Sequence, residues 1–186
     1  AAVQAINFWA VRPPIDAQGH ATVPEGLTTI PSSAFSDCSV LVSIDLPASL
    51  TTIPSSAFSE CSSLASVTLP ATLTSISDHA FFRCSSLAHV TLPAGLTSIG
   101  SCAFYRCSSL APIAVSLRDG LSIGNRAFVD CPLDDEAKAA VRAINFWAVR
   151  PPIDAQGHAT VPEGTTFIAK YAFFGCSSLV SIALPA

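Results

Sequence analysis

Charge is scarce in this chain. Of its 186 residues 12% are charged, nine Lys and Arg against thirteen Asp and Glu, for a formal net charge of −4. With no basic stripe to displace counterions from phosphates, the composition argues against nucleic acid as a partner. Long apolar runs are missing as well. None reaches the 18 or so residues that a bilayer span requires, so the mean hydropathy of +0.52 does not imply membrane insertion. That value reflects Ala, Leu, Ile and Ser standing where Lys and Glu are usual. No secretory leader is visible, and because the chain opens inside a repeated block this absence implies nothing about targeting. No Ser-His-Asp arrangement, phosphate-binding loop or glycosylation sequon occurs, and His20, His79, His89 and His158 share no metal-ligand spacing. The sequence thus nominates no catalytic residue, no cofactor and no metal, and it does not read as an enzyme. The chain is nonetheless long enough for a sizeable core, and half of it is apolar. So little charge on so apolar a chain implies surface hidden in an assembly.

What the sequence does have is repetition, at two scales. The longer one is a duplication: Ala5 to Gly26 reads AINFWAVRPPIDAQGHATVPEG, and Ala143 to Gly164 repeats that string letter for letter, at an offset of 138. The match extends back to Ala1 and Ala139 with one change, Gln4 against Arg142, and forward more loosely to Ile44 and Ile182. One long block and the opening of the next are therefore present, which points to a longer array. Tandem blocks add little to catalysis but give a scaffold length.

Inside the block runs a shorter period. Leu27, Leu50, Leu73 and Leu96 are evenly spaced, and each opens a variant of L-T-[TS]-I-x-x-x-A-F-x-x-C-x-x-L-x-x-[IV]-x-L-P-A. Apolar residues held at fixed phase over such a period mark a solenoid, in which each turn buries its neighbours' apolar edges. The L-x-x-[IV]-x-L stretch alternates as a short strand does, with Leu64, Val67 and Leu69 inward and Ala65, Ser66 and Thr68 outward. The proline that follows (Pro47, Pro70, Pro93, Pro185) has no amide hydrogen and ends the strand there. The Ala-Phe pair sets a small residue before a large one, which suits a tight turn with a ring plugged into the core.

These residues resemble the leucine-rich repeats of the BspA-like family, whose pattern is close to L-x-x-I-x-x-x-A-F-x-x-C-x-x-L-x-x-[IV]-x-L-P. Four turns match almost fully from Leu27 to about Ile113, Leu121 to Cys131 matches half, and Phe167 to Pro185 matches again. The resemblance implies a curved solenoid used in surface adhesion and protein binding, with no catalytic residues to carry over. The fold expected is thus a leucine-rich repeat solenoid with one short parallel β-strand per turn, interrupted by helix-plus-hairpin inserts that recur at the same offset of 138.

The pattern breaks after Leu110, where A-P-I-A-V-S-L-R-D-G replaces the usual junction, and it stops after Cys131. Pro132-Leu133-Asp134-Asp135-Glu136 then opens a helix, because acids at its amino end suit the dipole and Asp134 or Asp135 can cap it. Ala137, Ala140, Val141, Ile144 and Trp147 form one apolar stripe, which covers the sheet edge and docks one block to the next. Pro151-Pro152 ends the helix, and Ile153 to Pro162 reads as a hairpin returning to the solenoid, with Val161-Pro162 in place of Leu-Pro. On this reading residues 1–26 are a helix and hairpin, 27–131 are leucine-rich turns, 132–164 are the duplicate junction, and 165–186 begin the next run.

Six of the seven cysteines share one phase: Cys38, Cys61, Cys84, Cys107, Cys131 and Cys176. A ladder of buried thiols packing as small hydrophobes explains them first. A row of ligands suits no tetrahedral metal, whereas neighbouring rungs approach disulfide distance if the compartment is oxidising. Cys102 is off the ladder. Trp9 and Trp147 are duplicates that read as packing residues rather than sugar platforms, and His20 and His158 as surface turn positions.

Two surfaces remain. The outward strand positions, among them Ser43, Ser66, His89, Ala111, Pro112, Ala114 and Ser181, make a small, flat, nearly uncharged face, on which His89 is the residue best placed to touch a partner. The second surface follows each Ala-Phe pair and runs Ser36-Asp37, Ser59-Glu60, Phe82-Arg83, Tyr105-Arg106, Val129-Asp130, Phe174-Gly175. Phe, Tyr and Arg are interface-prone types, so Phe82, Arg83, Tyr105 and Arg106 are expected to form a contact patch that meets the acidic Asp37 and Glu60 of a neighbouring copy. The competing reading folds these aromatics back over the core. The function expected is a non-catalytic structural or adhesive segment of a longer tandem-repeat protein, extracellular or at the cell surface, that contacts a protein partner or copies of itself and extends as a filament. The alternative is an intracellular or complex-bound module that recognises one protein partner.

Overall fold

The computed structural model describes residues 14–111, 121–148, 152–165, 168, 172–173 and 176–185. The first ladder of parallel strands comes from the L-x-x-[IV]-x-L stretches, preceded by one strand from the duplicated segment. β1 (His20–Thr22), β2 (Ser43–Asp45), β4 (Ser66–Val67) and β6 (His89–Val90) stack in the order β1-β2-β4-β6, with His20 opposite Ser43, Ser43 opposite Ser66, and Ser66 opposite His89. In each strand one apolar side chain, Ala21, Ile44, Val67 or Val90, turns into the core while its neighbours face out.

Beside the expected ladder runs a second. The T-[TS]-I segments form β3 (Thr52–Ile53), β5 (Ser75–Ile76) and β7 (Ser98–Ile99), and Leu121-Ser122-Ile123 adds β8 (Ser122–Ile123), again parallel, with Ile53, Ile76, Ile99 and Ile123 buried. Ile99 still faces Ile123 although this turn is longer than the others, so the additional length is absorbed outside the ladder. The threonine before β3, β5 and β7 donates twice to the previous turn, as when Thr74 N–H and Oγ1 bond Thr51 O at 2.8 and 3.0 Å.

The Ala-Phe segments close the turn. Phe35, Phe58, Phe81, Phe104 and Phe128 stack in one file, with centroids 5.2 to 5.4 Å apart and ring planes within 11° of parallel. All five are fully buried, and each offset stack adds about 1 kcal/mol beyond burial. Sharp corners on either side of the pair require left-handed backbone. The residues that supply it are Ser33 and Asp37, Ser56 and Glu60, His79 and Arg83, Cys102 and Arg106, Arg126 and Asp130, all at φ between 55° and 61°. None is glycine, and each such residue costs about 1–2 kcal/mol against a right-handed one.

The junction after Cys131 covers the end of the second ladder. Helix α1 (Asp135–Ile144) is capped by Asp134, whose carboxylate accepts from Ala137 N–H at 2.7 Å. It buries Ala137 and Val141, leaves Ala140 and Ile144 half-buried, and packs on β8. Trp147, expected on the helical stripe, instead lies past the helix in a 3-10 turn (Phe146–Ala148). Asn145 causes the exit: it leaves helical geometry at φ −150° and donates its side-chain amide to Ile123 O at 2.8 Å. The carbonyls of Trp147 and Ala148 then accept from Arg126 and Phe128 N–H, both at 2.8 Å, as a following Ala-Phe segment would.

The expected hairpin is narrower than a pair of strands. Only Ile153 and Ala159 bridge in antiparallel fashion, while β9 (His158–Thr160) pairs parallel with β10 (Ser181–Ala183) and so begins the next run. Val161 N–H continues that pairing onto Ala183 O, in the place of a Leu-Pro leucine. The duplicate does the same with β1 and β2. Asp16 accepts from Gln18 and His20 N–H, both at 2.9 Å, and Asp154 accepts from Gln156 and His158 N–H. The His158 amide foremost, helped by Gln156, holds the Asp154 carboxyl below its usual range. No helix among the described residues is long and apolar enough to cross a membrane. The helix expected to open the first block falls on residues outside those described.

Candidate protein-interaction surfaces

The side chains of Phe82, Arg83, Tyr105 and Arg106 lie next to one another. Phe82 stacks on Tyr105 at 5.2 Å, Arg83 lies over the Phe82 ring at 5.1 Å, and Arg106 lies over Tyr105 at 5.4 Å. Tyr105 departs from expectation, since it is only 7% exposed. Arg126 explains this, covering the ring at 4.8 Å and donating to the Tyr105 hydroxyl at 3.1 Å. Tyr105 therefore folds back over the core, while Phe82 is half-buried and Arg83 and Arg106 are exposed.

The acidic partners stand in the same row. Arg83 pairs with Glu60 at 3.4 Å and Arg106 with Asp130 at 3.4 Å, one turn apart within the chain. Asp37 accepts from Ser36 Oγ at 2.9 Å and has no cationic partner among the described residues. Such exposed pairs contribute roughly 0–1 kcal/mol each and leave their charges open to exchange.

Four thiols of the ladder are held by hydrogen bonds. Cys61, Cys84, Cys107 and Cys131 each donate Sγ–H to the phenylalanine carbonyl of the preceding turn, from Phe35 to Phe104, at 2.9 to 3.1 Å. Each of these carbonyls also accepts the amide of its own turn's cysteine, as Cys38 N–H bonds Phe35 O at 3.1 Å. Burial first, then the neighbouring Cys61, pushes the Cys84 thiol well above its ordinary value. For Cys107 the hydrogen bond with Cys131 leads and burial follows. Protonated, buried and engaged thiols react slowly. Burial also raises the off-ladder Cys102 thiol, against the pull of Arg126.

One constellation escaped the sequence. His20 sits between Ser43 Oγ, 2.8 Å from Nδ1, and Asp45 Oδ2, 3.2 Å from Nε2. Serine, histidine and aspartate thus meet although no motif announces them, because the solenoid brings together residues one turn apart. They lie on a strand face, where Asp45 is 73% exposed. The duplicate His158 again bonds a serine, Ser181, but Ala183 stands where Asp45 was. Both histidines are strand residues rather than turn residues. His89 is exposed on the same face beside Ser66. Behind it, on the second ladder, a shallow hydroxyl-lined groove is formed by Ser75, Ser98, Ser122 and Asp78. Among the described residues no group of three His, Cys, Asp or Glu is placed to hold a metal. Trp147 is buried, meeting Phe173 edge-on at 5.6 Å and packing with Val161. Trp9, Pro112, Ala114, Phe174 and Gly175 lie outside the described residues.

Solved structures with similar folds are bacterial. A leucine rich repeat protein of T. pallidum is 26% identical at a TM-score of 0.50, covering 68% of this chain and 83% of that one. One from Bacteroides ovatus is 25% identical at a TM-score of 0.55, covering 89% of this chain, which spans 43% of that protein. Comparison with curated proteins finds no match. The family model for the BspA type leucine rich repeat region matches residues 18–134 and 156–186 in six copies, and the chain belongs to that family.

Proposed function

We propose that this chain is a non-catalytic structural and adhesive segment of a longer tandem-repeat protein at the cell surface, extended end to end through its helical junction. The observation that carries this reading is the dual role of residues 145–148. Asn145, Trp147 and Ala148 occupy the acceptor and donor groups at the end of one solenoid run, while the Trp147 ring packs with Val161 and Phe173 of the next. A segment that ends one run and seeds another, repeated letter for letter at an offset of 138, suits growth by addition of blocks. Its surfaces suit contacts with proteins: a flat face of Ser, Thr and Ala, and a row of charge beside an aromatic stack.

Electron microscopy of the full-length protein tests this. Fibres with an axial repeat of one block support it, and dispersed particles of a single size overturn it. The second reading, an intracellular or complex-bound module for one partner, is favoured by the thiol ladder, whose hydrogen bonds need no oxidation. Titrating denatured, unreduced native protein separates the two, because paired rungs favour the surface array and seven reactive thiols favour the module.

A further inference from the structure

We infer that two copies of this chain pair side by side and antiparallel through the row Asp37, Glu60, Arg83 and Arg106, about a two-fold axis between the Glu60 and Arg83 turns. The inference rests on the protein-contacting surfaces proposed above and commits one of them to a second copy in a stated orientation. The four residues occupy one phase of the repeat, one solenoid turn apart. Each has a left-handed backbone, φ 56° to 60°, which throws its side chain off the same corner. Each amide is locked to the following turn, Asp37 to Ser59 O, Glu60 to Phe82 O, Arg83 to Tyr105 O and Arg106 to Val129 O, at 2.7 to 2.9 Å. Rungs in such a ladder lie about 4.8 Å apart. These four rungs are therefore a ruler of charge, reading minus, minus, plus, plus, with Asp130 one turn beyond them at the same left-handed corner, φ 61°.

That order is complementary to its own reverse. Turned end for end, a second copy sets Arg106 against Asp37 and Arg83 against Glu60, and the two-fold repeats both pairs. Parallel copies in register oppose like charges, and a shift of two turns makes three pairs, Asp37 with Arg83, Glu60 with Arg106 and Arg83 with Asp130, against four in the antiparallel arrangement, and leaves the contact unclosed. Asp37 is the outlying charge that this arrangement satisfies. Glu60, Arg83 and Arg106 are about half exposed, so their weak internal pairs can be shared or exchanged. The arginines are already placed by Phe82 and Tyr105, which lowers the ordering needed on contact. Asp130 lies past the row's end and remains with Arg106 in its own chain.

Sedimentation of the 186-residue chain and two single-sign variants tests the pairing. Arg83→Glu/Arg106→Glu makes the row all negative, and Asp37→Arg/Glu60→Arg makes it all positive. At an ionic strength of about 0.02 M the wild-type chain is expected to double its mass at high concentration. Each variant alone stays monomeric, and their equimolar mixture forms a heterodimer at least tenfold tighter than the wild-type pair. At about 1 M salt all of these separate. Circular dichroism shows that both variants are folded. A mixture that remains monomeric, or single-sign variants that self-associate as well as wild type, overturns the inference. If the mixture fails to pair while the full-length protein still forms fibres, the lateral contact is wrong and end-to-end extension stands.

Discussion

Gly19 and Gly26 share a left-handed backbone, φ 81° and 84°, but not their surroundings. A Cβ on Gly19 would meet Val40 O at 2.6 Å and Val42 Cγ2 at 2.7 Å, while one on Gly26 meets nothing within 4 Å. Gly26→Ala is therefore expected to cost only the conformational term, about 1 kcal/mol. Gly19→Ala has to displace backbone as well, and the Gly19 carbonyl receives Val42 N–H at 2.7 Å. Its cost is expected at roughly 3 kcal/mol, within the range of strained glycine replacements. Urea unfolding of the two variants checks the difference, and equal losses would show that sterics at Gly19 are unimportant. The requirement was legible in the duplicated D-A-Q-G-H as a turn glycine, but the strand that starts one residue later was not. Its partner lies a full solenoid turn further along the chain, so local spacing could only suggest a hairpin. The left-handed corners were hidden for a different reason: Ser, Asp, Glu, His, Cys and Arg fill them where glycine or asparagine would have signalled them.

At the scale of the element, the thiol ladder and the helical junction each have a measurable consequence. Unfolded thiols ionise near pH 9.0, whereas buried Cys84 and Cys107 hold their protons to higher pH. Above that pH the unfolded state binds fewer protons than the folded state, so stability falls as pH rises. The stabilisation from the raised thiols is fully present below pH 9.0 and is lost above it, at up to about 1.4 kcal/mol per pH unit for each thiol. Denaturant midpoints at successive alkaline pH values should fall less steeply for Cys84→Ala/Cys107→Ala than for wild type, and parallel slopes would remove the ladder from the explanation. The ladder itself was plain in the sequence, because six cysteines at one phase admit few arrangements. Its hydrogen bonds to Phe carbonyls were not, since they depend on which side of the preceding turn each Sγ reaches. Asn145 carries a similar lesson. It stands between Ile144 and Trp147 of the expected apolar stripe without belonging to it, yet it ends α1 by donating to Ile123 O. Asn145→Ala leaves that edge carbonyl without its donor and should cost about 1–3 kcal/mol, read as a lower urea midpoint. Asn145→Asp sets a carboxylate against the carbonyl and should cost more.

Across the whole molecule, stability in a stack of repeats is close to a sum of nearest-neighbour contacts, so protection should follow how many neighbours a turn has. β2 lies between β1 and β4, and its Ile44 is 4% exposed. The corresponding β10 pairs with β9 alone among the described residues, and Ile182, the counterpart of Ile44 in the second block, is 39% exposed. Leu184 and Ile168 are exposed where the first run holds Leu46 half-buried and Ile30 buried. Trp147 ties this second cluster to the first through its own carbonyl and ring. Opening of β9 and β10 should therefore be a separate, lower-energy event than opening of the central turns. Hydrogen exchange is expected to release the Ser181 to Ala183 amides at least a hundredfold faster than those of Ser66 and Val67. Trp147→Ala should widen that gap by loosening the second run while leaving the Phe35 to Phe128 file protected. Fusing a copy of residues 49–70 after Ala186, the turn that follows β2 in the first block, should raise protection of Ser181 to Ala183 towards that of Ser43 to Asp45. Unchanged exchange in that fusion would mean that the two runs do not propagate by the same stacking, and it would remove the physical basis for extension by blocks.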